Sequence, residues 1–146
     1  MKTSEQGRAL IREFEGCELK AYPDPATGGD PWTIGVGHTG PDVHEGKEIT
    51  EEDADALLAK DLARFEACVS DNLTVDVAQA QFDAMVSLAF NIGCANFRKS
   101  SVLRYTNEGN LEGAKEAFRL WDKAAGKKMA GLTRRRAAEA EMFGSA

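Results

Sequence analysis

Two acidic residues and a threonine near the N-terminus have the types and the spacing that glycoside hydrolysis requires. Glu15 and Asp24 are nine residues apart, and Thr33 follows Asp24 at the same distance along the chain. Cleaving a glycosidic bond needs a proton donor for the leaving oxygen and a second carboxylate on the other face of the sugar. A hydroxyl beside that second carboxylate can hold the attacking water, so the set favours hydrolysis with inversion.

The positions of these residues suggest different roles for the two acids. Glu15 ends a predicted helix whose apolar face contains Leu10, Ile11 and Phe14, and burial beside that face would favour the protonated form that a general acid needs. Asp24 lies in a Pro- and Gly-rich turn, where solvation keeps a carboxylate ionised. Spacing alone also fits a helix-capping acid, a turn residue and a strand residue, because 24 of the 146 residues are acidic.

The elements that would position this set change in character along the chain. Thr3 and Gln6 have capping-box spacing for the first helix. The Gly- and Pro-rich stretch that follows predicts three short antiparallel strands, LKAY, WTIGVG and KEIT. Thr50 with Asp53 begins a long helix, and VAQAQFDAMVSLAFNIG predicts a central helix capped by Gly93. Shorter helices are predicted at about 101–108, 110–125 and 133–143.

Length and composition predict one α+β domain over residues 1–146. The 42% of hydrophobic residues can fill a core, and no run approaches a membrane span of about 18 apolar residues. The expected parts are a hairpin lobe at about 15–49, a connecting helix at about 50–71 and a helical lobe at about 74–146, with a cleft between the lobes for an extended polymer. The N-terminus has no signal-peptide pattern, so we expect a soluble protein made in the cytoplasm, with a removed upstream signal or anchor left open.

The charge is distributed unevenly. Residues 1–96 carry 7 basic and 18 acidic residues, whereas residues 97–146 carry 11 basic and 6 acidic residues, which together give the net charge of −6. A basic C-terminal third suits an anionic polymer, and the acidic remainder argues against a nucleic acid as the main partner.

The three cysteines, Cys17, Cys68 and Cys94, are an odd number without metal-type spacing. Buried thiols are therefore expected, and a disulfide scaffold is not.

Several motifs in order resemble one known family. The run FEG-x3-KAY-x-D followed by WTIGVGHTG resembles the N-terminal signature of the phage-type lysozymes, the T4 lysozyme and lambdoid endolysin family. Four further motifs of this chain resemble the lambdoid branch of that family: FNIG at 90–93, FRKSSVL at 97–103, AF-x2-W at 117–121 and GL-x2-RR-x2-E at 131–139. The resemblance extends from about residue 8 to residue 143 and implies a lysozyme-like fold.

The resemblance assigns the catalytic acid to Glu15, the base to Asp24 and the water-binding hydroxyl to Thr33. In this chain the loop between Asp24 and Thr33 is about three residues longer than the family's common short form. It contains Asp30, a second candidate for the base. We favour Asp24 because it keeps the AY-x-D context and the spacing from Glu15. The resemblance further implies sugar contacts at Thr39, Phe90 and Ser100, although Phe90 fits a core position equally well.

The resemblance also implies three supporting residues. His38 is expected to form a structural pair with Asp61, and Arg135 is expected to pair with the catalytic acid. Arg134 and Arg136 are interpreted as a solvated basic patch.

The resemblance implies that the chain is an endolysin. Such an enzyme cleaves the β-1,4 bond between N-acetylmuramic acid and N-acetylglucosamine in peptidoglycan, without metal or cofactor. Such an enzyme is expected to be a monomer with no nucleic acid partner and no stable membrane anchor. It stays in the host cytoplasm until a holin allows its release to the periplasm and cell wall. The alternatives are a catalytically degenerate peptidoglycan-binding module and a lytic transglycosylase.

Overall fold

The computed structural model describes all residues, 1–146, and has a mixed α+β architecture. Its elements in chain order are α1 (Glu5–Glu15), β1 (Glu18–Tyr22), β2 (Thr33–Gly35), β3 (His38–Thr39), α2 (Glu51–Asn72), α3 (Gln79–Ile92), α4 (Cys94–Lys99), α5 (Ser101–Asn107), α6 (Leu111–Ala117), a 3-10 turn (Phe118–Trp121), β4 (Lys123–Ala124), β5 (Lys127–Lys128) and α7 (Ala130–Gly144). No helix combines the length and the apolar character needed to cross a bilayer.

The chain divides into two compact units. Residues 11–61 form one, here called the hairpin unit, and residues 1–10 with 62–146 form the other, here called the helical unit. Each boundary falls inside a helix, within α1 and within α2.

The hairpin unit is built on a three-stranded antiparallel sheet in the order β1, β2, β3. Tyr22 pairs with Thr33, and the pairing shifts register along β1, so this strand contains a bulge or irregularity. The small core consists of Ala21, Ile34 and Val43. The third strand was predicted wrongly: KEIT forms only an isolated bridge between Lys20 and Glu48, and His38–Thr39 pairs with β2 instead.

The predicted start of the long helix is confirmed. The side chain of Thr50 accepts a hydrogen bond from the backbone N–H of Asp53 at 3.1 Å, and the Asp53 carboxylate accepts one from the N–H of Thr50 at 3.2 Å. This reciprocal cap satisfies two backbone donors that a helix N-terminus leaves free.

The helical unit has α3 at its centre. All residues from Gln81 to Ala89 are buried, so this helix is enclosed on every side. Gly93 ends it as predicted, with a φ of 89° that suits glycine and an N–H donated to the carbonyl of Ala89.

The first helix begins one residue later than the capping-box pattern predicted. Ser4, not Thr3, caps α1, because its Oγ accepts the N–H of Gly7 at 3.2 Å. The Ser4 N–H and hydroxyl also donate to the buried carboxylate of Asp83, and Thr3 donates its N–H and hydroxyl to Glu66 at 2.6 and 2.7 Å. These contacts anchor the N-terminus on the helical unit.

One further expectation, for the C-terminal third, was wrong. The helix predicted at about 110–125 ends at Ala117, and after a 3-10 turn the chain forms the β4–β5 hairpin. Ala125 and Gly126, with φ of 52° and 80°, form the two-residue turn that joins β4 to β5. The short helix α4 was also missed, because Gly93 and Ser100 bound only six residues.

The expectation of three free thiols is corrected by the fold. Cys68 near the end of α2 and Cys94 at the start of α4 form a disulfide, with their Cα atoms 6.1 Å apart. The two cysteines are 26 residues apart, and only the packing of the helical unit brings them together. Cys17 is the one free cysteine and is half-buried.

Candidate active site

Glu15 is the last residue of α1, and its side chain is exposed. Gly16 ends the helix with a φ of 80° and donates its N–H to the carbonyl of Arg12 at 2.8 Å. The Arg12 guanidinium in the last turn forms an ion pair with Glu51 at the start of α2, which fixes the end of α1 within the hairpin unit. The exposure of Glu15 differs from the apolar burial that its place on the first helix predicted.

Asp24 begins a compact loop that closes on itself. Its N–H donates to the carbonyl of Gly29 at 2.9 Å, its own carbonyl accepts from Thr27 and Gly28, and its carboxylate accepts the N–H of Ala26 at 3.2 Å. These bonds hold the Asp24 backbone while the carboxylate remains half-exposed. A carboxylate in such a setting is available to a water molecule.

The pairing of β1 with β2 places Asp24 and Thr33 at the same end of the sheet. Thr33 pairs with Tyr22, two residues before Asp24, and it also pairs with Thr39 on β3. Asp30 is exposed in the same loop, and its backbone carbonyl accepts the Thr27 hydroxyl at 2.6 Å. Both candidate bases thus lie in the segment between β1 and β2, and the choice of Asp24 stays a prediction.

His38 lies between two carboxylates. Its Nδ1 is 2.7 Å from Asp61 on α2, and its Nε2 is 3.0 Å from the nearer carboxylate oxygen of Asp42 in the loop after β3. Because a carboxylate only accepts, both ring nitrogens act as donors when the ring is protonated. The geometry is therefore that of an imidazolium joining the sheet, the following loop and the helix.

The two aspartates determine the titration of His38. Burial lowers the pKa of the imidazole, but the hydrogen bonds to Asp61 and Asp42 outweigh it, and the pKa is raised above 6.5. The hydrogen bond from His38 in turn lowers the pKa of Asp42 below 3.8. The sequence pointed to Asp61, whereas Asp42 was missed, although it lies four residues from His38.

Arg135 lies in a buried polar cluster of the helical unit, where it is 3% exposed. Its Nε donates to the Glu139 carboxylate at 3.2 Å, and a terminal nitrogen donates to the Ser87 carbonyl at 3.2 Å. The Ser87 hydroxyl donates to the same Glu139 oxygen at 2.5 Å. The guanidinium is thus held by two helices, α3 and α7.

Arg136 corrects a second expectation, because it is fully buried and not part of a solvated patch. Its Nε lies 2.8 Å from Glu139 Oε1, and a terminal nitrogen donates to Oε2 at 3.2 Å. Burial raises the pKa of Glu139, and the charges of Arg136 and Arg135 oppose that rise. Several donors around one carboxyl group suit the ionised form. The i+3 and i+4 spacing in RR-x2-E was a signal for this cluster that sequence reasoning did not use.

The three residues predicted to contact sugar differ in exposure. Thr39 is exposed on β3, and Phe90 is half-buried near the end of α3 with its ring edge-on to Phe65, at a centroid distance of 5.3 Å. Ser100 is 3% exposed and caps α5, because its hydroxyl accepts the Leu103 N–H and donates to the Phe97 carbonyl. That cap accounts for Ser100 structurally, so a sugar contact there stays a prediction.

The family assignment follows from a match over most of the chain. The model of the family described as phage lysozyme matches residues 12–139. This chain belongs to the phage lysozyme family. The predicted family and the lysozyme-like fold class are both confirmed. The match includes the predicted acid, base, threonine and Arg135.

Individual relatives agree with this assignment. The endolysin of Bacillus phage B103 is 43% identical over 98% of this chain, which spans only 54% of that relative's length. A solved lysozyme of phage P22 has 41% identity, a TM-score of 0.90 and coverage of 98% of both chains. The muramidase domain of SpmX from Asticaccaulis excentricus has 42% identity, a TM-score of 0.86 and coverage of 97% of both. The chain thus spans about half the length of the Bacillus phage relative and nearly all of the two solved domains.

Proposed function

We propose that this chain is an endolysin that hydrolyses the β-1,4 bond between N-acetylmuramic acid and N-acetylglucosamine in peptidoglycan. The observation that carries the proposal is membership of the phage lysozyme family over residues 12–139, a range that contains every residue of the predicted acid, base and hydroxyl set. Relatives named endolysin and muramidase support the same reading.

In this proposal Glu15 is the general acid. It ends α1 with an exposed side chain, which bound glycan would cover and shield from water. The proton then passes to the leaving glycosidic oxygen.

Asp24 and Thr33 are proposed to hold the attacking water. The sheet pairing that sets Thr33 beside Tyr22 supports a short separation between the hydroxyl and the Asp24 loop. An ionised carboxylate accepts a proton from water while a hydroxyl orients it, which gives inversion at the anomeric carbon. Thr39, Phe90 and Ser100 are proposed sugar contacts, and Arg135 is proposed to orient the acid.

The biological setting belongs to the same proposal. The enzyme would act as a monomer on peptidoglycan glycan strands at the end of phage infection. It would remain in the host cytoplasm until a holin permits its release to the periplasm and wall.

Clearing of outer-membrane-permeabilised Gram-negative cell walls tests the proposal. Wild type should clear the walls, and Glu15→Gln and Asp24→Asn should each lower the rate by about 100- to 10,000-fold, the range for loss of a general acid or base. Asp30→Asn is the matched control and should retain activity. Loss of activity only in Asp30→Asn would move the base into the longer loop, and full activity of Glu15→Gln would refute the mechanism.

The masses of the released fragments separate the alternatives. Hydrolysis adds one water to each cleaved bond, whereas a lytic transglycosylase releases anhydro-sugar ends of lower mass. A wall-binding module would sediment with the walls and release nothing.

A further inference from the structure

The β4–β5 hairpin and the residues at its ends form a cationic surface with exposed apolar side chains. We call it the hairpin surface, and it consists of Arg119, Leu120, Lys123, Lys127, Lys128 and Met129. All six are exposed, and Leu120 and Met129 retain 64% and 46% of their accessible area. Exposed apolar residues among charges mark interaction sites more often than scattered single ones do. None of the six belongs to the proposed catalytic or sugar-binding set.

The local charge is positive although the chain as a whole carries −6. The Asp122 carboxylate, 9% exposed, lies 3.8 Å from the ammonium groups of both Lys123 and Lys128. Glu116 pairs with Arg119 at 2.8 Å. One buried carboxylate offsets only one of the two lysines, so the face that carries Lys123 and Lys128 keeps an excess of positive charge. Lys127 is opposite Ala124 and adds its charge on the other face of the two-stranded hairpin.

Two local features of this hairpin depart from the usual rules of sequence and structure. Lys123 and Lys128 are directly opposite each other in the β4–β5 pair, where like charges repel, and Asp122 offsets only part of that repulsion. Ala125 occupies the first turn position with a φ of 52°, a left-handed conformation that favours glycine. Features that break local rules of sequence and structure tend to occur where function requires them.

A cavity of about 620 Å³ opens beside the paired lysines. Leu120, Lys123 and Lys128 are among its lining residues, and so are the acidic residues Glu116 and Asp122. The basic lining residues outnumber the acidic ones, so an anionic lipid headgroup complements the charge of this cavity.

We propose that the hairpin surface binds the face of an anionic phospholipid bilayer. Lysines attract anionic headgroups, and exposed Leu120 and Met129 gain from entering the interface between headgroups and acyl chains. An acidic wall polymer would satisfy the lysines but offer nothing to the two apolar side chains. The contact is peripheral and reversible, and it is independent of the proposed hydrolysis.

The acidic remainder of the chain does not prevent this contact at physiological salt. The Debye length is then about 8 Å, so charges further from the bilayer are screened while those of the hairpin surface act directly. Binding should therefore be weak and sensitive to salt.

Sedimentation with lipid vesicles tests the proposal. The full chain should bind vesicles of phosphatidylcholine with one quarter phosphatidylglycerol and not vesicles of phosphatidylcholine alone. The double variant Lys123→Gln, Lys128→Gln should lose about 25-fold in partition coefficient, because each lysine near an anionic surface contributes about 5-fold. Leu120→Ser should also weaken binding several-fold, and raising the salt should reduce binding of the wild type.

A second double variant is the matched control. Lys2→Gln, Lys60→Gln removes the same charge from two exposed lysines outside the hairpin surface and should bind anionic vesicles as the wild type does. An equal loss in both double variants would overturn the proposal in favour of a general charge effect. Equal binding to both kinds of vesicle would also overturn it. So would sedimentation with purified walls but not with vesicles, which would indicate an anionic wall polymer as the ligand.

Stability measurements separate binding from misfolding. The Lys123→Gln, Lys128→Gln variant removes a like-charge pair but also both ammonium partners of Asp122, so its melting temperature should stay within a few degrees of wild type. Hydrolysis of soluble peptidoglycan fragments should be unchanged in this variant, and Glu15→Gln should still bind vesicles. Failure of vesicle binding would leave the proposed hydrolysis intact, and loss of hydrolysis would leave the vesicle result intact.

Discussion

The hairpin unit and the helical unit differ in the interactions that hold them together. The hairpin unit has a small core of Ala21, Ile34 and Val43, and His38 with its two aspartates joins its parts through charge. The helical unit has a larger apolar core and a disulfide, and its fully or almost fully buried phenylalanines are Phe82, Phe97, Phe118 and Phe143.

The predicted catalytic residues all lie in the hairpin unit, which has the smaller apolar core. The predicted acid and base lie in the unit that depends on short strands, loops and charged contacts, and the residues there remain accessible to ligand. The helical unit is held by its apolar core, by a disulfide and by the buried cluster of Arg135, Arg136 and Glu139. We therefore expect changes in the helical unit to alter global stability and changes in the hairpin unit to alter local order.

The largest effect is expected from removing the buried carboxylate of the helical unit. Glu139→Ala would leave the guanidinium groups of Arg135 and Arg136 buried without their shared anion, which costs about 3 to 5 kcal/mol of unfolding free energy. Urea unfolding would measure it. The matched control Glu141→Ala, on an exposed position of the same helix, should stay within about 0.5 kcal/mol of wild type. A small loss in Glu139→Ala would mean that apolar burial alone stabilises this unit.

Reduction of the disulfide should have the next largest effect. Opening a closed loop whose ends are 26 residues apart removes about 3.5 kcal/mol in the chain-entropy account. The melting temperature should fall by about 10 °C on addition of reductant, at about 3 °C per kcal/mol for a chain of this size. The control variant Cys17→Ala, which keeps the disulfide, should show the same fall in melting temperature when reductant is added. An unchanged melting temperature would show that Cys68 and Cys94 are not bonded in solution.

The charged contacts of the hairpin unit should make its stability depend on pH. Because the folded pKa of His38 is raised above 6.5, its contribution is fully present below pH 6.5 and is lost as pH rises through the folded value. The lowered pKa of Asp42 gives a contribution present above pH 3.8 and lost as pH falls through its folded value. The contact should therefore stabilise most between these two limits.

Asp61→Asn tests this pH window. At about pH 5.5 it should cost about 2 kcal/mol, the value of a hydrogen bond between charged groups, and the loss should shrink at high pH. Hydrogen exchange should show faster opening of residues 11–61 and little change in α3. Asp71→Asn, exposed on the same helix, is the control. A loss that does not vary with pH would contradict the charged form of His38.

The smallest effect is expected at the turn of the β4–β5 hairpin. Ala125→Gly should raise the unfolding free energy by about 0.5 kcal/mol. Glycine adopts the positive φ at this position more readily than alanine, and the greater backbone entropy of glycine in the unfolded chain cancels part of that gain. Thermal unfolding would detect it as a rise of one or two degrees. Ala124→Gly, in a strand position, should instead destabilise the chain. A fall in stability for Ala125→Gly would remove the argument for strain in this turn.

The sequence predicted features whose causes lie within a few residues. Thr50 and Gly93 mark helix ends by hydrogen bonds and backbone angles that involve only their neighbours, and both predictions are confirmed. The long helix and the buried central helix follow from periodicity. The order of the motifs also predicted the family, and with it the fold class.

Features that depend on distant residues required the tertiary structure. The Cys68–Cys94 disulfide, the burial of Arg136 and the pairing of Ser87 with Glu139, 52 residues apart, each depend on how helices pack. The strand KEIT was predicted from composition, but in the fold it forms only a bridge to Lys20 of β1, and His38–Thr39 takes the place beside β2.

The sequence by itself thus determined the start of the long helix at Thr50, the end of the central helix at Gly93, the family and the fold class, because capping, periodicity and motif order can be read from neighbouring residues. The tertiary structure alone decided which charges are buried, which cysteines bond and which strands pair. Those outcomes depend on desolvation and on contacts between segments far apart along the chain, and neither can be evaluated until the segments have packed.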